Sequence, residues 1–436
     1  MVKKVILAVA GSRKTYHICH TINTEKRNLI LAFTNANVAN IKKELLAAFG
    51  SIPRLTEVLT FDAFVYRNFI LPYERTIRDF FDEPNFKSRG ITTVKPPKNE
   101  RYKKSQKKNN ENGEENDDPN ISEKQVDKLN SSTQIYITKD KLGHYTTKSG
   151  KYYCDTLSEL VIYIKGKKGK SHVKSPKYQK LMDKAIRRLE LFYDYILVDE
   201  FQDFRKFDFD LLMGLRKGKF NLVMVGDFFQ HSVSAVNNSG RPFENNNTLE
   251  LFVEFLQSKG FEVDQFTLLK SRRCSHEICN FVFEKLKIPI ESERINVGTI
   301  KWTDGYVKEI IENDKIVKLF FKRSNEWTSS SKTWSYSKGD TYDSVCVVLT
   351  EDFEKLDKDS FDIEDIKEST RNKLYVALTR TKGDLYLVRY SAYKRYLEDK
   401  YNLNPDGEMK KYSWVFSDQP SLFDESELPM GPNENR

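Results

Sequence analysis

A chain of 436 residues is too long for one ordinary hydrophobic core and predicts two or three domains. Its composition, 39% hydrophobic and 31% charged, is that of a soluble protein, and no apolar run is long enough to span a bilayer. The net charge of +9 permits a polyanionic partner without requiring one. Five scattered cysteines without a CxxC pair favour reduced thiols in the cytoplasm over a disulfide framework or a zinc site.

Short apolar segments alternate with helical patterns in the first part of the chain. The predicted strands there are Val5–Val9, Asn28–Phe33 and Glu57–Phe61. This βαβ spacing is typical of a parallel sheet covered on both faces. The pattern resumes with strands at Tyr195–Asp199 and Asn221–Gly226. We therefore predict one α/β domain formed by residues 1–75 and 185–258, with an accessory subdomain, 76–184, inserted between its halves.

The predicted insertion has a mixed character. Residues from about 98 to 132 are rich in Lys, Asn, Glu and Asp, which predicts a disordered loop. The alternation over Gln134–Tyr153 predicts a hairpin, and Lys165–Lys177 contains six lysines. A second α/β domain is predicted over residues 259–400, followed by a flexible tail, 401–436. Its apolar strands are expected near Phe266–Leu269, Asp343–Leu349 and Leu385–Arg389.

A phosphate-binding loop is predicted where the first strand turns into a helix through Ala8-Val9-Ala10-Gly11-Ser12-Arg13-Lys14-Thr15. The nucleotide is expected to contact Ala10, Gly11, Ser12, Arg13, Lys14 and Thr15. Lys14 would reach the β and γ oxygens, and the Thr15 hydroxyl would bind Mg²⁺. Arg13 stands where such a loop usually has glycine, so its side chain would either crowd the phosphates or contact them. Alone, this segment also fits a strand-to-helix turn without a ligand.

Acidic residues follow a buried strand in Tyr195-Ile196-Leu197-Val198-Asp199-Glu200-Phe201-Gln202-Asp203. Ligands bind at the carboxyl edge of a parallel sheet, where these acids are expected. Asp199 would hold Mg²⁺ through water, and Glu200 would polarise the attacking water in phosphoryl transfer. The alternative interpretation is a helix N-terminus carrying acids that favour its dipole.

Six further segments complete an ordered series. They are Phe33-Thr34-Asn35, Thr60-Phe61-Asp62-Ala63-Phe64, Val225-Gly226-Asp227-Phe228-Phe229-Gln230, Leu268 to Ser275, Ser337-Lys338-Gly339-Asp340-Thr341-Tyr342-Asp343 and Leu374 to Lys382. With the loop and the acidic segment, this series resembles the motifs of the UvrD/Rep-like superfamily 1 DNA helicases, in family order from residue 5 to about 390.

The resemblance implies two RecA-like P-loop NTPase domains with parallel sheets. It makes Gln230 the γ-phosphate sensor and Arg273 and Arg380 the arginines that neutralise the transferring phosphoryl group. Gly339 would lie in the segment that links nucleotide to DNA. Since Gly339 comes only sixty-six positions after Arg273, this resembles a compact member without the large second-domain insertion.

The resemblance also implies DNA contacts. The residues concerned are Phe33, Thr34, Asn35, Thr60, Phe61 and Phe64. A single strand needs basic groups for its phosphates and aromatic platforms for its bases. The lysines of Lys165–Lys177 are further candidates, although such a run also suits a solvated loop.

We therefore expect an ATP- and Mg²⁺-dependent helicase or translocase acting on single-stranded or forked DNA, with no membrane partner. Two other functions stay open: a nucleotide-gated sensor subunit beside a nuclease partner in phage defence or repair, and a pseudo-ATPase scaffold. The tail segment Gln419-Pro420-Ser421-Leu422-Phe423 resembles peptides that dock on the bacterial sliding clamp. Gln419, Leu422 and Phe423 would be its anchors, or the segment would fold back onto the protein.

Overall fold

The computed structural model describes residues 1–97, 137–164, 181–231, 240–294, 298–322 and 330–401. Several sequence predictions lie outside these ranges and stay predictions. They are the loop over about 98–132, the lysine-rich segment Lys165–Lys177 and the clamp-docking residues Gln419, Leu422 and Phe423. Within the described residues, no helix is both long and apolar enough to cross a membrane.

Strands and helices alternate through much of the described chain. The strands are β1 (Lys3–Ala8), β2 (Asn28–Ala32), β3 (Thr56–Thr60), β4 (Ile91–Thr92), β5 (Tyr152–Tyr153), β6 (Tyr195–Val198), β7 (Asn221–Gly226), β8 (Glu262–Leu268), β9 (Lys270–Ser275), β10 (Glu291–Arg294), β11 (Ile300–Trp302), β12 (Val317–Phe320), β13 (Ser331–Thr333), β14 (Val345–Val348) and β15 (Leu385–Val388). The α-helices are α1 (Lys14–Thr21), α2 (Asn35–Phe49), α3 (Phe61–Val65), α4 (Glu74–Phe81), α5 (Leu157–Tyr163), α6 (Leu181–Leu189), α7 (Lys206–Leu215), α8 (Leu249–Ser258), α9 (His276–Leu286), α10 (Val307–Ile311), α11 (Glu368–Leu378) and α12 (Tyr390–Tyr401).

The larger sheet has the strand order β3-β2-β6-β7-β1-β8. β2 pairs in parallel with β3 and with β6, and Ala32 stands opposite Thr60 in the register. All five residues of β2 are buried, as expected for a strand covered on both faces of a parallel sheet. Because parallel strands end at one edge, the segments that follow β2 and β3 come out side by side.

The second sheet has the order β11-β15-β14-β12-β13 and is parallel throughout its registered pairs. β14, with the sequence VCVV, is the middle strand of this sheet, and all four of its residues are buried. Residues of α10 and α12 form an apolar cluster with the side chains of this sheet. These two parallel sheets confirm the predicted α/β class.

The chain divides into two compact units. The first comprises Met1–Lys3, Cys19–Asp199 and Phe204–Val223, and the second comprises Lys4–Ile18, Glu200–Asp203 and Met224–Arg436. The predicted phosphate-binding loop therefore belongs to the same unit as the segments near Arg273 and Arg380. The domain boundaries expected from the sequence, 1–75 with 185–258, 76–184 and 259–400, stay predictions.

Two local expectations are corrected. Residues 137–153, the described part of the hairpin predicted over Gln134–Tyr153, form a tight turn with an antiparallel bridge between Thr146 and Tyr152. β5 instead pairs in parallel with β4, and both of its tyrosines are buried. The strand expected near Phe266–Leu269 in the second α/β pattern is β8, which pairs in parallel with β1. The Lys4 Nζ also lies 2.8 Å from the Asp264 Oδ2 across this pair of strands.

Candidate active site

The loop after β1 requires glycine at position 11. Gly11 has a φ of +75°, a backbone conformation that side chains disfavour. A Cβ atom there would lie 2.6 Å from both the Arg273 Cβ and the Ser271 Oγ. The Arg272 N–H donates to the Gly11 carbonyl at 2.9 Å. The loop is therefore packed directly against the segment that carries Arg273.

Arg13 occupies the left-handed backbone position that explains why such loops usually have glycine. Its φ is +62°, and its side chain is exposed. The guanidinium lies 5.6 Å from the centroid of the Tyr16 ring. The neighbouring Ser12 is buried, and its hydroxyl donates to the Val9 carbonyl at 2.9 Å. Arg13 thus leans over the first turn of α1.

Lys14 and Glu200 form an ion pair beside this loop. The Lys14 Nζ lies 3.5 Å from the Glu200 Oε1, and the side chains are only 10% and 20% exposed. The Gln202 amide donates to the other carboxylate oxygen at 2.5 Å. Burial opposes ionisation of Glu200, but Lys14, Lys338 and the Gln202 hydrogen bond outweigh it, so its pKa lies below the ordinary value. Glu200 is therefore a carboxylate at neutral pH.

Asp199 and Thr15 are the predicted magnesium ligands. Asp199 is 2% exposed at the end of β6, and its N–H donates to the Leu31 carbonyl at 2.9 Å. Thr15 lies in the first turn of α1 and is half-buried. The described residues contain no group of three His, Cys, Asp or Glu side chains arranged to hold a metal. Hydroxyl and carboxylate oxygens are ligands of the kind that Mg²⁺ prefers, and Mg²⁺ bound with a nucleotide commonly takes one or two protein ligands plus phosphate oxygens and water.

Asp227 is the centre of a buried hydrogen-bond network. Its Oδ2 accepts from the Gln230 side-chain amide at 2.7 Å and from the Tyr375 hydroxyl at 3.1 Å. The same Tyr375 hydroxyl accepts from the Ala10 N–H at 2.8 Å. The Asp227 N–H donates to the Gln202 Oε1 at 3.0 Å. The predicted sensor Gln230 is thereby connected to the predicted phosphate-binding loop.

The ionisation of Asp227 depends on these neighbours. Burial raises its pKa to about 6, although Lys14 and the hydrogen bonds from Gln230 and Tyr375 favour the charged form. The nearby Glu200 carboxylate adds to the rise. Asp227 is therefore mostly ionised, and so the stronger acceptor for these donors, only above about pH 6.

Arg273 and Arg380 both approach Thr379. The Arg273 Nη1 donates to the Thr379 carbonyl at 3.1 Å, and the Arg380 Nη2 donates to the Thr379 hydroxyl at 3.2 Å. Arg380 is 2% exposed, and its Nε donates to the Val376 carbonyl at 2.8 Å. Burial, and then the charge of Arg273, lower the pKa of Arg380 to about 9. Burial also lowers the pKa of Arg273. Two cations are therefore held close together in a weakly solvated place.

The segment near Gly339 contributes a further cation. The Lys338 Nζ lies 2.5 Å from the Asp203 Oδ1 and 3.5 Å from the Gln230 carbonyl oxygen. Gly339 has a φ of +92°, and a Cβ atom there would meet nothing within 4 Å. Gly339 is thus required by its backbone conformation, while the space beside it is open.

Some of the predicted DNA contacts lie at the carboxyl ends of β2 and β3. The Thr34 hydroxyl caps α2 by accepting from the Asn37 N–H at 3.1 Å, and Asn35 is exposed. Thr60 caps α3 and is half-buried, as is Phe33. These residues lie on neighbouring strand ends and present polar groups at one edge.

Phe61 and Phe64 do not share that exposure. They are 2% and 0% exposed, respectively. The Phe61 ring packs edge-on against Phe204 at 4.8 Å between centroids, and Phe64 packs against Phe69 at 5.5 Å. The apolar face of the short helix α3 points into the core. The expectation that a base stacks on these two rings is not supported by this arrangement.

Two family models match this chain, each over more than half of its 436 residues. The UvrD/REP helicase N-terminal domain matches residues 2–231, and the viral superfamily 1 RNA helicase core domain matches residues 147–389. The chain belongs to the UvrD/Rep-like superfamily 1 helicases. The family predicted from the motif series is confirmed.

Solved viral helicase structures are similar to this UvrD/Rep-like chain at 12% sequence identity. The PRRSV helicase has a TM-score of 0.39, with 88% of this chain and 52% of that chain covered. The arterivirus nonstructural protein 10 helicase in complex with DNA has a TM-score of 0.38, with coverages of 88% and 60%. This chain thus spans between about half and three fifths of their length. No curated protein matches its sequence.

Motif analysis of this UvrD/Rep-like chain missed several residues of the site. Tyr375 and Lys338 lie within quoted motifs, but no spacing indicates that one bonds to the loop and the other to Asp203. Arg294 lies outside every motif. Its Nη1 donates to the carbonyls of Arg273, at 2.9 Å, and of Lys382, at 2.7 Å. Such contacts between distant segments have no signal in a single sequence.

Proposed function

We propose that this UvrD/Rep-like helicase hydrolyses ATP with Mg²⁺ and couples hydrolysis to movement along single-stranded or forked DNA. The observation that supports this best is the ion pair of Lys14 and Glu200, 3.5 Å apart beside a loop that requires glycine at position 11. Phosphoryl transfer needs a cation for the phosphates and a group that orients the attacking water. The mostly buried pair of Lys14 and Glu200 supplies both the cation and the carboxylate.

The loop residues suit a triphosphate. Mg-ATP supplies the phosphoanhydride bond that hydrolysis breaks. Lys14 would neutralise phosphate oxygens, and the N–H groups at the start of α1 point where an anion is favoured. In the proposal Thr15 and Asp199 are the protein ligands of the metal. Ala10 is expected to shape the loop rather than to donate to phosphate, because its N–H already donates to Tyr375.

The two arginines suit the charge of a transferring phosphoryl group. Arg273 and Arg380 lie close enough for their charges to oppose one another, and Arg380 is buried. An anion between them would remove that repulsion in a place where water screens it weakly. We assign both arginines to stabilisation of charge on the phosphoryl group and Gln230 to sensing it.

The proposed DNA surface begins at the carboxyl edge of β2 and β3. The exposed amide of Asn35 suits phosphate and sugar contacts, and Phe33 is the remaining aromatic candidate for stacking. The exposed Thr34 hydroxyl donates to the Asn37 Oδ1 at 2.7 Å, so it would donate to a phosphate only on releasing Asn37. Thr60 lies on the adjacent strand end. RNA offers the same phosphates, so the nucleic acid has to be decided by measurement.

The test is phosphate release by the purified protein with ATP and Mg²⁺, alone and with single-stranded DNA or RNA. We expect DNA to stimulate release several-fold or more. Lys14→Ala should abolish release, whereas Lys43→Ala, which removes an exposed lysine on α2, should not. If wild-type protein binds ATP but releases no phosphate with either nucleic acid, the hydrolytic proposal is wrong and the scaffold function is favoured.

A second assay separates movement from sensing. A forked DNA duplex with a fluorophore and quencher should open in an ATP-dependent manner, and streptavidin on the single strand should be displaced. DNA-stimulated phosphate release without opening or displacement would contradict the motor and leave a nucleotide-gated DNA-binding subunit. The same substrate made of RNA identifies the preferred strand.

A further inference from the structure

The buried hydroxyl of Tyr375 joins three segments that the motif series treats separately. It accepts from the loop N–H of Ala10 at 2.8 Å and donates to the Asp227 carboxylate at 3.1 Å. Tyr375 is 0% exposed, so water does not replace either partner. A hydroxyl has one proton, and the two contacts fix its direction from the loop towards Asp227.

Asp227 connects the Tyr375 hydroxyl to the predicted sensor, Gln230. The oxygen that accepts from Tyr375 also accepts from the Gln230 side-chain amide, at 2.7 Å. The amide nitrogen of Gln230 is thereby turned towards Asp227, which leaves the amide oxygen on the opposite side. A displacement of the loop at Ala10 therefore reaches Gln230 through three buried hydrogen bonds.

Tyr375 is also tied to Arg380 through its backbone. Its carbonyl oxygen accepts from the Thr379 hydroxyl at 2.8 Å, and that hydroxyl accepts from the Arg380 Nη2 at 3.2 Å. Tyr375 lies within α11, and Arg380 follows the end of this helix. A shift of the tyrosine along its helix axis would therefore move the arginine.

We infer that Tyr375 is a positioning residue that transmits occupancy of the phosphate-binding loop to Gln230 and Arg380. This inference rests on the proposed function, since it deepens the account of the same site. A merely structural tyrosine would need partners for its hydroxyl but would not connect the loop, the sensor and the arginine in one chain. The difference is measurable, because transmission changes turnover and not affinity.

The test compares Tyr375→Phe with Tyr396→Phe in the full chain. Tyr396 is a control of the same chemical type, because its partly buried hydroxyl also accepts from a nitrogen, Lys400 Nζ at 2.9 Å, and donates to a carboxylate, Glu312 at 3.1 Å. Tyr375→Phe should lower kcat about ten- to hundredfold while changing nucleotide affinity less than about threefold. Tyr396→Phe should leave both quantities unchanged.

Hydrogen exchange provides a readout that does not need hydrolysis. Binding of a non-hydrolysable ATP analogue should slow amide exchange at residues 374–380 in the wild type and in Tyr396→Phe, but not in Tyr375→Phe. Unchanged exchange over β14 in all three proteins shows that the second sheet is folded. If Tyr375→Phe changes the exchange of the loop alone, and the analogue still slows exchange at residues 374–380, then Tyr375 only anchors the loop and the inference is wrong.

The remaining outcomes are equally decisive. Weaker nucleotide binding with an unchanged kcat in Tyr375→Phe would overturn the inference, as would a wild type whose residues 374–380 do not respond to nucleotide. A wild type that releases no phosphate contradicts the proposed hydrolysis alone. In that case the hydrogen-exchange comparison still tests whether Tyr375 transmits loop occupancy, because it requires only that the nucleotide binds.

Discussion

The Lys14 ammonium lies 3.5 Å from the Glu200 carboxylate, and neighbouring charges hold the pKa of Glu200 below its ordinary value in spite of burial. Glu200→Gln keeps the shape of the side chain but removes the charge. Turnover of ATP should fall about 10²- to 10⁴-fold, since a positioned base is lost. Binding of ATP should persist, because Lys14 gains freedom to meet the phosphates.

Fluorescent nucleotide binding and phosphate release test this pair in the same preparation. Glu250→Gln, at the exposed start of α8, controls for loss of a surface charge. Normal turnover in Glu200→Gln would remove Glu200 from the proposed chemistry. Loss of both binding and turnover would instead assign it to the shape of the nucleotide site.

The acid limb of the pH profile should follow Asp227. Burial raises the pKa of this carboxyl to about 6, and its ionised form is the stronger acceptor for the hydrogen bonds from Tyr375 and Gln230. Turnover should therefore be retained above about pH 6 and should decline as pH falls through this value. Tyr375→Phe removes a hydrogen bond that favours the carboxylate, so its decline should begin at higher pH. A wild-type profile that is flat down to pH 5 would contradict the assignment.

Gly11→Ala should disrupt the site through contact with the Arg273 segment. The substitution puts a Cβ at a φ of +75° and 2.6 Å from the Arg273 Cβ. Gly260→Ala is the matched control, since Gly260 has a φ of +81° with nothing within 4 Å of its added Cβ. Left-handed strain alone costs about 1–2 kcal/mol of unfolding free energy. Gly11→Ala should cost more than Gly260→Ala in chemical unfolding and should also lose nucleotide turnover. Equal effects on both measurements would show that the close approach is unimportant.

The motif series predicted much of the candidate site because several of its segments follow a strand. Glu200 comes two residues after the end of β6, Asp227 comes directly after β7, and strand ends of one parallel sheet meet at one edge. The sequence therefore predicts which residues gather. It does not predict which atoms bond, because the partner of a hydroxyl such as Tyr375 depends on packing between distant segments.

The sequence also did not predict which side chains of a short helix are buried. Phe61 and Phe64 lie three positions apart, a spacing that puts both on one face of a helix whether that face is buried or open. Their edge contacts with Phe204 and Phe69 bury them. The strand β8 was likewise located by its apolar residues, whereas its pairing with β1, where the Lys4 Nζ lies 2.8 Å from the Asp264 Oδ2, had no signal in the sequence.

Arg294 should matter to catalysis although it lies outside the motifs. Its guanidinium joins the carbonyls of Arg273 and Lys382, at 2.9 and 2.7 Å, and so holds the two arginine segments together. Arg294→Ala should lower kcat about tenfold or more, because small misplacement of charged groups weakens phosphoryl transfer. Arg294→Lys should fall between Ala and wild type. Steady-state kinetics with equal nucleotide binding in all three proteins checks this order, and identical kcat values would contradict it.

Asp208 should limit the stability of the first unit at neutral pH. It lies in the first turn of α7, and burial raises its pKa to about 7, with Asp62 and Asp155 adding to the rise against a Ser158 hydrogen bond. Between its ordinary pKa and about 7, the folded chain holds a proton that the unfolded chain releases, so this contribution to stability is lost as pH rises. Asp208→Asn resembles the protonated form and should raise the free energy of unfolding by about 1–3 kcal/mol at pH 8. The gain should shrink towards pH 5, where Asp208 is already neutral in the folded state.

Urea unfolding at both pH values measures this gain in unfolding free energy, with Asp183→Asn, at a more exposed position on α6, as control. A gain that is equal at pH 5 and pH 8 would show that the effect comes from helix capping or packing, not from the buried charge.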